Sequence, residues 1–159
     1  MIFVTLGTFL SPFTRPLVEL ERLCEMKIIT EDVIVQNGHT HFESKYMQMK
    51  GLITPKQMQY YIENARIVIT HAGTGSLVQP IKMSKKVIAI ARLFELDEHV
   101  DDHQLDIFGK FVEFKYVYPW NLTDSLQQIL IDIENFEPNK FFSTKDKVVK
   151  YLEDYIDKL

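Results

Sequence analysis

A single cysteine, Cys24, among 159 residues excludes an internal disulfide, and with it the small secreted domains that rely on such bridges. Its helical spacing from Phe13, Leu17 and Leu20 makes it a core side chain rather than a nucleophile. No apolar run approaches the ~18 residues of a membrane span. Any membrane contact must therefore come through a partner or a surface patch. Excess positive charge is also missing: 18 basic against 22 acidic residues leave a net charge of −4 and no basic stripe, which argues against nucleic acid as a partner. The first ten residues carry no positive charge and begin a strand, unlike a secretory signal. One cytoplasmic domain over residues 1–159 is the expectation.

What is present is organised around the stretch Ile67-Val68-Ile69-Thr70-His71-Ala72-Gly73-Thr74-Gly75-Ser76-Leu77. Its first four residues read as a buried parallel strand. Gly73 and Gly75 let the backbone turn tightly and approach a ligand, because neither carries a Cβ. Ser76 is the expected N-cap of the following helix. Strand, glycine turn and helix N-terminus together offer free N–H groups and the positive end of a dipole. That combination suits a phosphate, and a nucleotide diphosphate in particular. The same turn also occurs as a plain connection between elements.

Ile2 to Leu6 is the first expected strand, and Gly7-Thr8 opens a second small-residue turn behind it. Further strands are expected over Asp32 to Gln36, Tyr46 to Met49, Val87 to Ala91 and Tyr116 to Tyr118. Thr54-Pro55 starts a helix with Met58, Tyr61, Ile62 and Ala65 on its apolar face. Thr123 is the expected cap of another, with Leu126, Ile129, Leu130 and Ile133 inward. Val148, Leu152, Tyr155, Ile156 and Leu159 mark a last helix within residues 144–159, either packed back on the domain or offering Tyr151 and Tyr155 to a partner. His39 and His41 read as a solvated loop, since no third ligand stands at metal-binding spacing. Strands alternating with helices predict an α/β fold, a Rossmann-like parallel sheet with helices on both faces. Ligands in such folds sit beyond the strand C-termini. Three polar segments converge there: Gly7-Thr8, His71 to Ser76, and Arg92 to Gln104.

Val100, Ile107, Phe108 and Phe111 mark a helical stripe whose missing turn falls on His103 and Gln104. This pair either meets a polar ligand, such as sugar hydroxyls, or satisfies backbone groups locally. His99 and His103 stand at i and i+4 with Asp102 adjacent, a spacing a metal could use, but nothing elsewhere supplies a further ligand. The acidic run Asp97, Glu98, Asp101 and Asp102 is expected to complement a first-turn dipole. Arg92 to Asp97 is expected as a polar loop.

Met1 to Thr8, Pro12-Phe13 with Arg15, Thr70 to Ser76, and Glu98-His99-Val100-Asp101-Asp102-His103-Gln104, in that order, resemble the C-terminal domain of glycosyltransferase family 28. The match is to its small single-domain branch, which includes exopolysaccharide subunits of the PssE type and the donor-binding subunit of the eukaryotic dolichol-linked N-acetylglucosaminyltransferase. The resemblance implies the C-terminal, donor-binding half of a GT-B enzyme split over two chains. This chain would hold a UDP-sugar, while a membrane-attached, PssD-like partner presents a lipid-linked saccharide. Gly7, Thr8, Gly73, Thr74, Gly75 and Ser76 would face the diphosphate and nucleotide, position 79 the ribose, and His99, Asp102, His103 and Gln104 the donor sugar.

Several positions depart from the family pattern. Phe9 replaces a histidine, Gln79 replaces a glutamate, and Pro80, Ser84 and Val87 replace alanine, glycine and proline. Gln79 can still accept from one hydroxyl and donate to another. The implied reaction is an inverting hexose transfer in exopolysaccharide or capsule synthesis, with the departing UDP stabilised by the helix N-terminus after Gly75. It implies neither metal nor cofactor, and no Asp-x-Asp loop follows a strand. The general base would come from the partner, with His71 the weaker candidate. A non-catalytic nucleotide-sugar-binding module is the alternative. A nicotinamide enzyme fits poorly, since the first strand lacks Gly-x-Gly-x-x-Gly behind it and no acid closes the second.

Overall fold

The computed structural model describes residues 1–101, 103–142 and 145–156, with the backbone alone at His103, residues 145–148 and Leu152. Six strands, β1 (Ile2–Thr5), β2 (Val33–Gln36), β3 (Gln48–Met49), β4 (Ile67–His71), β5 (Lys86–Ile90) and β6 (Tyr118–Pro119), alternate with α1 (Arg15–Glu25), α2 (Pro55–Asn64), α3 (Thr74–Lys82), α4 (His103–Glu113), α5 (Leu126–Asp132) and α6 (Lys145–Ile156). All strand pairs are parallel, in the order β3-β2-β1-β4-β5-β6.

The continuous apolar strands divide their side chains between two faces at period two. Ile2, Val4, Val33, Val35, Ile67, Ile69, Ile88 and Ile90 pack in one core with Leu17, Leu20 and Leu23 of α1 and with Leu126 and Ile129 of α5. Phe3, Ile34 and Val68 meet Ile62 of α2, while Val87 and Ala89 meet Leu77 and Ile81 of α3 and the Ile107, Phe108 and Phe111 stripe of α4. The α/β sheet covered on both faces is thus the architecture found.

Local signals set most element ends. Thr54 caps α2 with a full capping box: its hydroxyl accepts the Gln57 N–H, and the Gln57 amide oxygen accepts the Thr54 N–H. Ser125, not Thr123, caps α5, because its hydroxyl reaches the Gln128 N–H, while Asp124 closes a separate turn on the Asn121 N–H. Tyr116 stays outside the sheet, since its N–H completes the end of α4 on the Phe111 carbonyl. In α6, Tyr151, Tyr155 and Ile156 are exposed, so the inward stripe expected there is not turned onto the domain at these positions. Thr144 and Leu159 lie outside the described residues. No helix among the described residues is long and apolar enough to cross a membrane.

The strand order positions the site. From β1 the chain builds outward through β2 and β3, then returns to place β4 on the other side of β1. The strand direction of growth reverses between β1 and β4, which leaves a crevice beyond their C-terminal ends.

Candidate functional site at the strand switch

Two glycine turns meet in that crevice around one imidazole. Gly7 follows β1 at φ +77°, a left-handed conformation that favours glycine, and Gly73 follows β4. His71, the last residue of β4, lies between them. A Cβ on Gly7 would come within 2.6 Å of His71 Cε1, and one on Gly73 within 2.5 Å of His71 Nε2. Gly73 therefore makes room for a ring of this chain. Gly75 is different: a Cβ there meets nothing within 4 Å. Gly73, not Ser76, is also the N-cap of α3, because its carbonyl accepts the N–H groups of Ser76 and Leu77. The turn closes three residues earlier than its composition suggests, and the N–H groups of Thr74 and Gly75 open the helix.

His71 Nδ1 lies 3.4 Å from the Thr5 carbonyl, which fits a Nδ1–H donor and leaves Nε2 as the acceptor. Burial pushes the imidazole pKa from 6.5 down to about 4; the Thr5 carbonyl opposes this, and the nearby Arg92 and His99 add to it. The ring is neutral near pH 7. The unfolded imidazole takes a proton near 6.5 that the folded one refuses until about 4. Stability is thus complete above 6.5 and falls as the pH drops through that window, by on the order of 3 kcal/mol. Unfolding free energies measured across the window should fall less steeply for His71→Gln than for the parent chain. An imidazole NMR midpoint near 6.5 would contradict the assignment.

Beside the ring is a cavity of about 200 Å³ lined by Gly7, Thr8, His71 and Ser76 on its polar side and by Leu52, Ile53 and Met58 on its apolar side. The three apolar residues come from the loop before α2 and its first turns, which sequence reading assigned to no site. Gln36, also missed, shapes this wall from a buried position. Its amide oxygen accepts the Thr5 hydroxyl (2.7 Å) and the Gly7 N–H (3.2 Å), and its nitrogen donates to the Gly7 carbonyl (3.0 Å). Gly38 approaches the same turn so closely that a Cβ would lie 2.2 Å from the Gly7 carbonyl oxygen.

Arg92 overturns the expected polar loop. Only 1% of it is exposed. One guanidinium nitrogen donates to the carbonyls of Ser11 (2.8 Å) and Glu98 (2.9 Å), the other to Leu6 (3.0 Å), and the plane lies 4.6 Å from the Phe13 ring centroid. Burial lowers its pKa to about 10 against the pull of Glu98, so it stays charged near neutrality. Glu98 is buried too and takes both arms of Arg15, at 3.0 and 2.8 Å, and the Leu93 N–H. Asp97 and Glu98 of the acidic run are therefore no first-turn dipole partners, since α4 begins only at His103; Asp102 lies outside the described residues. Together these bonds tie the loop behind β1 to the loop behind β5.

His99 stacks on Phe9 with 4.7 Å between centroids, and its Nδ1 lies 3.1 Å from the Asp101 carboxylate. Phe9 thus fills the loop against that imidazole. Val100 is exposed and precedes α4, so it leaves the helical stripe. Gln104 uses its amide oxygen locally, on the Arg92 N–H at 3.3 Å. Gln79, one turn beyond Ser76 in α3, is half-buried, and no hydrogen bond ties its side chain among the described residues. Asp102 and the His103 side chain lie outside the described residues. His39 and His41 are exposed, on either side of the buried Thr40 that accepts the Phe13 N–H. The three polar segments do meet at one edge of the sheet. Ser84 adopts φ +56°, a left-handed conformation that favours glycine, the residue the resemblance implies at this position.

The family profile for the glycosyltransferase family 28 C-terminal domain matches residues 1–159. Among curated proteins, the UDP-N-acetylglucosamine transferase subunit ALG13 of Kluyveromyces lactis is 29% identical over 143 residues, covering 89% of this chain and 64% of the relative. The same-named subunit of Candida albicans is 25% identical over 108 residues, 68% of this chain and 35% of the relative. The chain thus spans less than two thirds of either. Among solved structures, the glycotransferase of kitacinnamycin superposes with a TM-score of 0.58 at 12% identity, over 84% of this chain and 34% of that one. The NMR structure of ALG13 gives 0.57 at 20% identity over 95% and 93%. At these identities the superpositions speak for the fold.

Proposed function

The chain belongs to the glycosyltransferase family 28 C-terminal domain family, and from that premise we propose that it is the UDP-sugar-binding subunit of a two-chain hexosyltransferase. The observation that carries this reading is the cavity at the strand switch, with the first turn of α3 on one side and an apolar wall on the other. Helix N–H groups and Thr8 and Ser76 suit a diphosphate; Leu52, Ile53 and Met58 suit the faces of a planar base. Gln79 would take the ribose, and His99, Asp102, His103 and Gln104 the sugar. Diphosphate departure in an inverting transfer would be assisted by the N–H groups of Thr74 and Gly75.

Among the described residues, His71 is the sole titratable group lining the cavity, and it is held neutral there. The base that deprotonates the acceptor is therefore assigned to a partner that binds a lipid-linked saccharide at the cytoplasmic face of the membrane. Support for such a partner comes from the loops on the same edge, where Leu10, Phe94, Leu96 and Leu122 are exposed. The transfer is read as a step of exopolysaccharide or capsule synthesis.

Thermal melting in the presence of a chelator tests it, with UDP, UDP-N-acetylglucosamine and NAD compared. UDP compounds should raise the melting temperature and NAD should not. Gly75→Val places its side chain in open space, so it should leave the melting temperature of the free chain nearly unchanged. Its affinity for UDP should drop by about tenfold or more, as backbone approach to the phosphate is blocked. A shift with NAD alone, or unaltered UDP affinity in Gly75→Val, would overturn the assignment.

A further inference from the structure

A second cavity, of about 330 Å³, lies where α3 ends and β5 begins, at the opposite end of the sheet from the crevice. Lys82, Lys85 and Lys140 line it together with Ser84, Asn139 and Phe141, and among the described residues no carboxylate does. Lys85 is fixed, donating to the Glu63 and Ala65 carbonyls. Lys82 lies over the Phe141 ring at 5.9 Å. The wall continues into the end of α4, because the Asn139 N–H donates to the Lys115 carbonyl and its side-chain amide to that of Phe114, both at 2.9 Å.

Among the described residues, Lys82, Lys115 and Lys140 form no ion pair. Among the described acids nearby, Glu113 pairs with Lys110 and Glu134 with Arg66 and Lys86, while Glu63 accepts from Gln59 and Glu137 forms no ion pair. Beside these ammonium groups, Phe114 is 52% and Phe142 75% exposed. In a chain of net charge −4, this local excess of unpaired lysine is not a consequence of composition.

We propose that this end of the domain docks on an anionic lipid surface. Lysines lay their alkyl stems along an apolar wall and lift their ammonium groups to headgroup phosphates, while exposed rings enter the interfacial layer. The net negative charge repels an anionic bilayer as a whole, so the contact is confined to this patch. Lipid held there leaves the strand-switch crevice uncovered. The inference stands apart from the proposed donor.

Flotation of the purified chain with vesicles tests it, comparing pure phosphatidylcholine with an equimolar mixture of phosphatidylcholine and phosphatidylglycerol. The chain should float with the anionic vesicles alone and be released by salt. The K82Q/K115Q/K140Q variant should bind about fivefold more weakly per lysine removed, on the order of a hundredfold in total. A control carrying K45Q/K50Q/K56Q, with the same charge change on exposed sites elsewhere, should bind as the parent does. Absence of flotation at low salt, or an equal loss in the control, overturns the proposal. So does a melting-temperature rise with inorganic phosphate that needs the same lysines while anionic vesicles are not bound, which would assign the cavity to a soluble anion.

Discussion

Arg92→Met should lose about 3–5 kcal/mol of unfolding free energy, the cost of three buried acceptors left unsatisfied, measured by urea denaturation. Methionine fills a similar length of core but donates nothing, so the carbonyls of Leu6, Ser11 and Glu98 lose their partner inside the protein. The Glu98 carboxylate keeps Arg15, which limits the damage to the carbonyl side of the brace. Arg92→Lys should recover only part of the loss, because one ammonium cannot reproduce a planar fork that reaches three carbonyls. UDP affinity should fall in both variants, since Leu6 leads directly into the Gly7 turn. A loss below about 1 kcal/mol in Arg92→Met would mean that water replaces the guanidinium at little cost.

The second large effect concerns the imidazole wedge. Gly73 has φ −73°, which alanine adopts freely, so the cost of Gly73→Ala is steric and should be about 1–3 kcal/mol. Removing the ring in the same chain, as Gly73→Ala with His71→Ala, should restore stability relative to the sum of the single changes by about 1–2 kcal/mol. Gly7→Ala suffers the same ring contact and a left-handed backbone besides. His71→Ala should therefore rescue Gly7→Ala only in part. Strict additivity in the Gly73 cycle would show that the ring is not what excludes a side chain there.

A glycine marks a place where backbone can come close to something, and at Gly75 nothing of the described chain lies within 4 Å of where a Cβ would stand. At Gly73 the chain's own His71 does. Spacing alone distinguishes neither case, because the ring's position depends on the register of β1 beside β4, where Thr5 faces Thr70.

Much of the fold was legible because its causes are local. Apolar runs bounded by turns marked the strands, Thr54-Pro55 carried a complete cap, and the alternation of strands and helices implied a parallel sheet buried on both faces. Caps next to other small polar residues were less so. The sequence points to Thr123 and Ser76 where the structure has Ser125 and Gly73, because only the path of the chain decides which residue stands at the turn.

By itself, then, the amino-acid order determined the elements, the class of fold and the edge of the sheet at which polar residues collect, since each follows from side-chain periodicity and backbone freedom over a few residues. The tertiary structure alone decided that Arg92 is buried and that Gln36 builds the wall of the cavity. Arg92 finds two of its three carbonyls 86 and 81 positions away, and Gln36 meets the Gly7 turn at a separation of 29. Backbone carbonyls are the same in every residue, so no pattern of side chains announces which of them a distant guanidinium or amide will find.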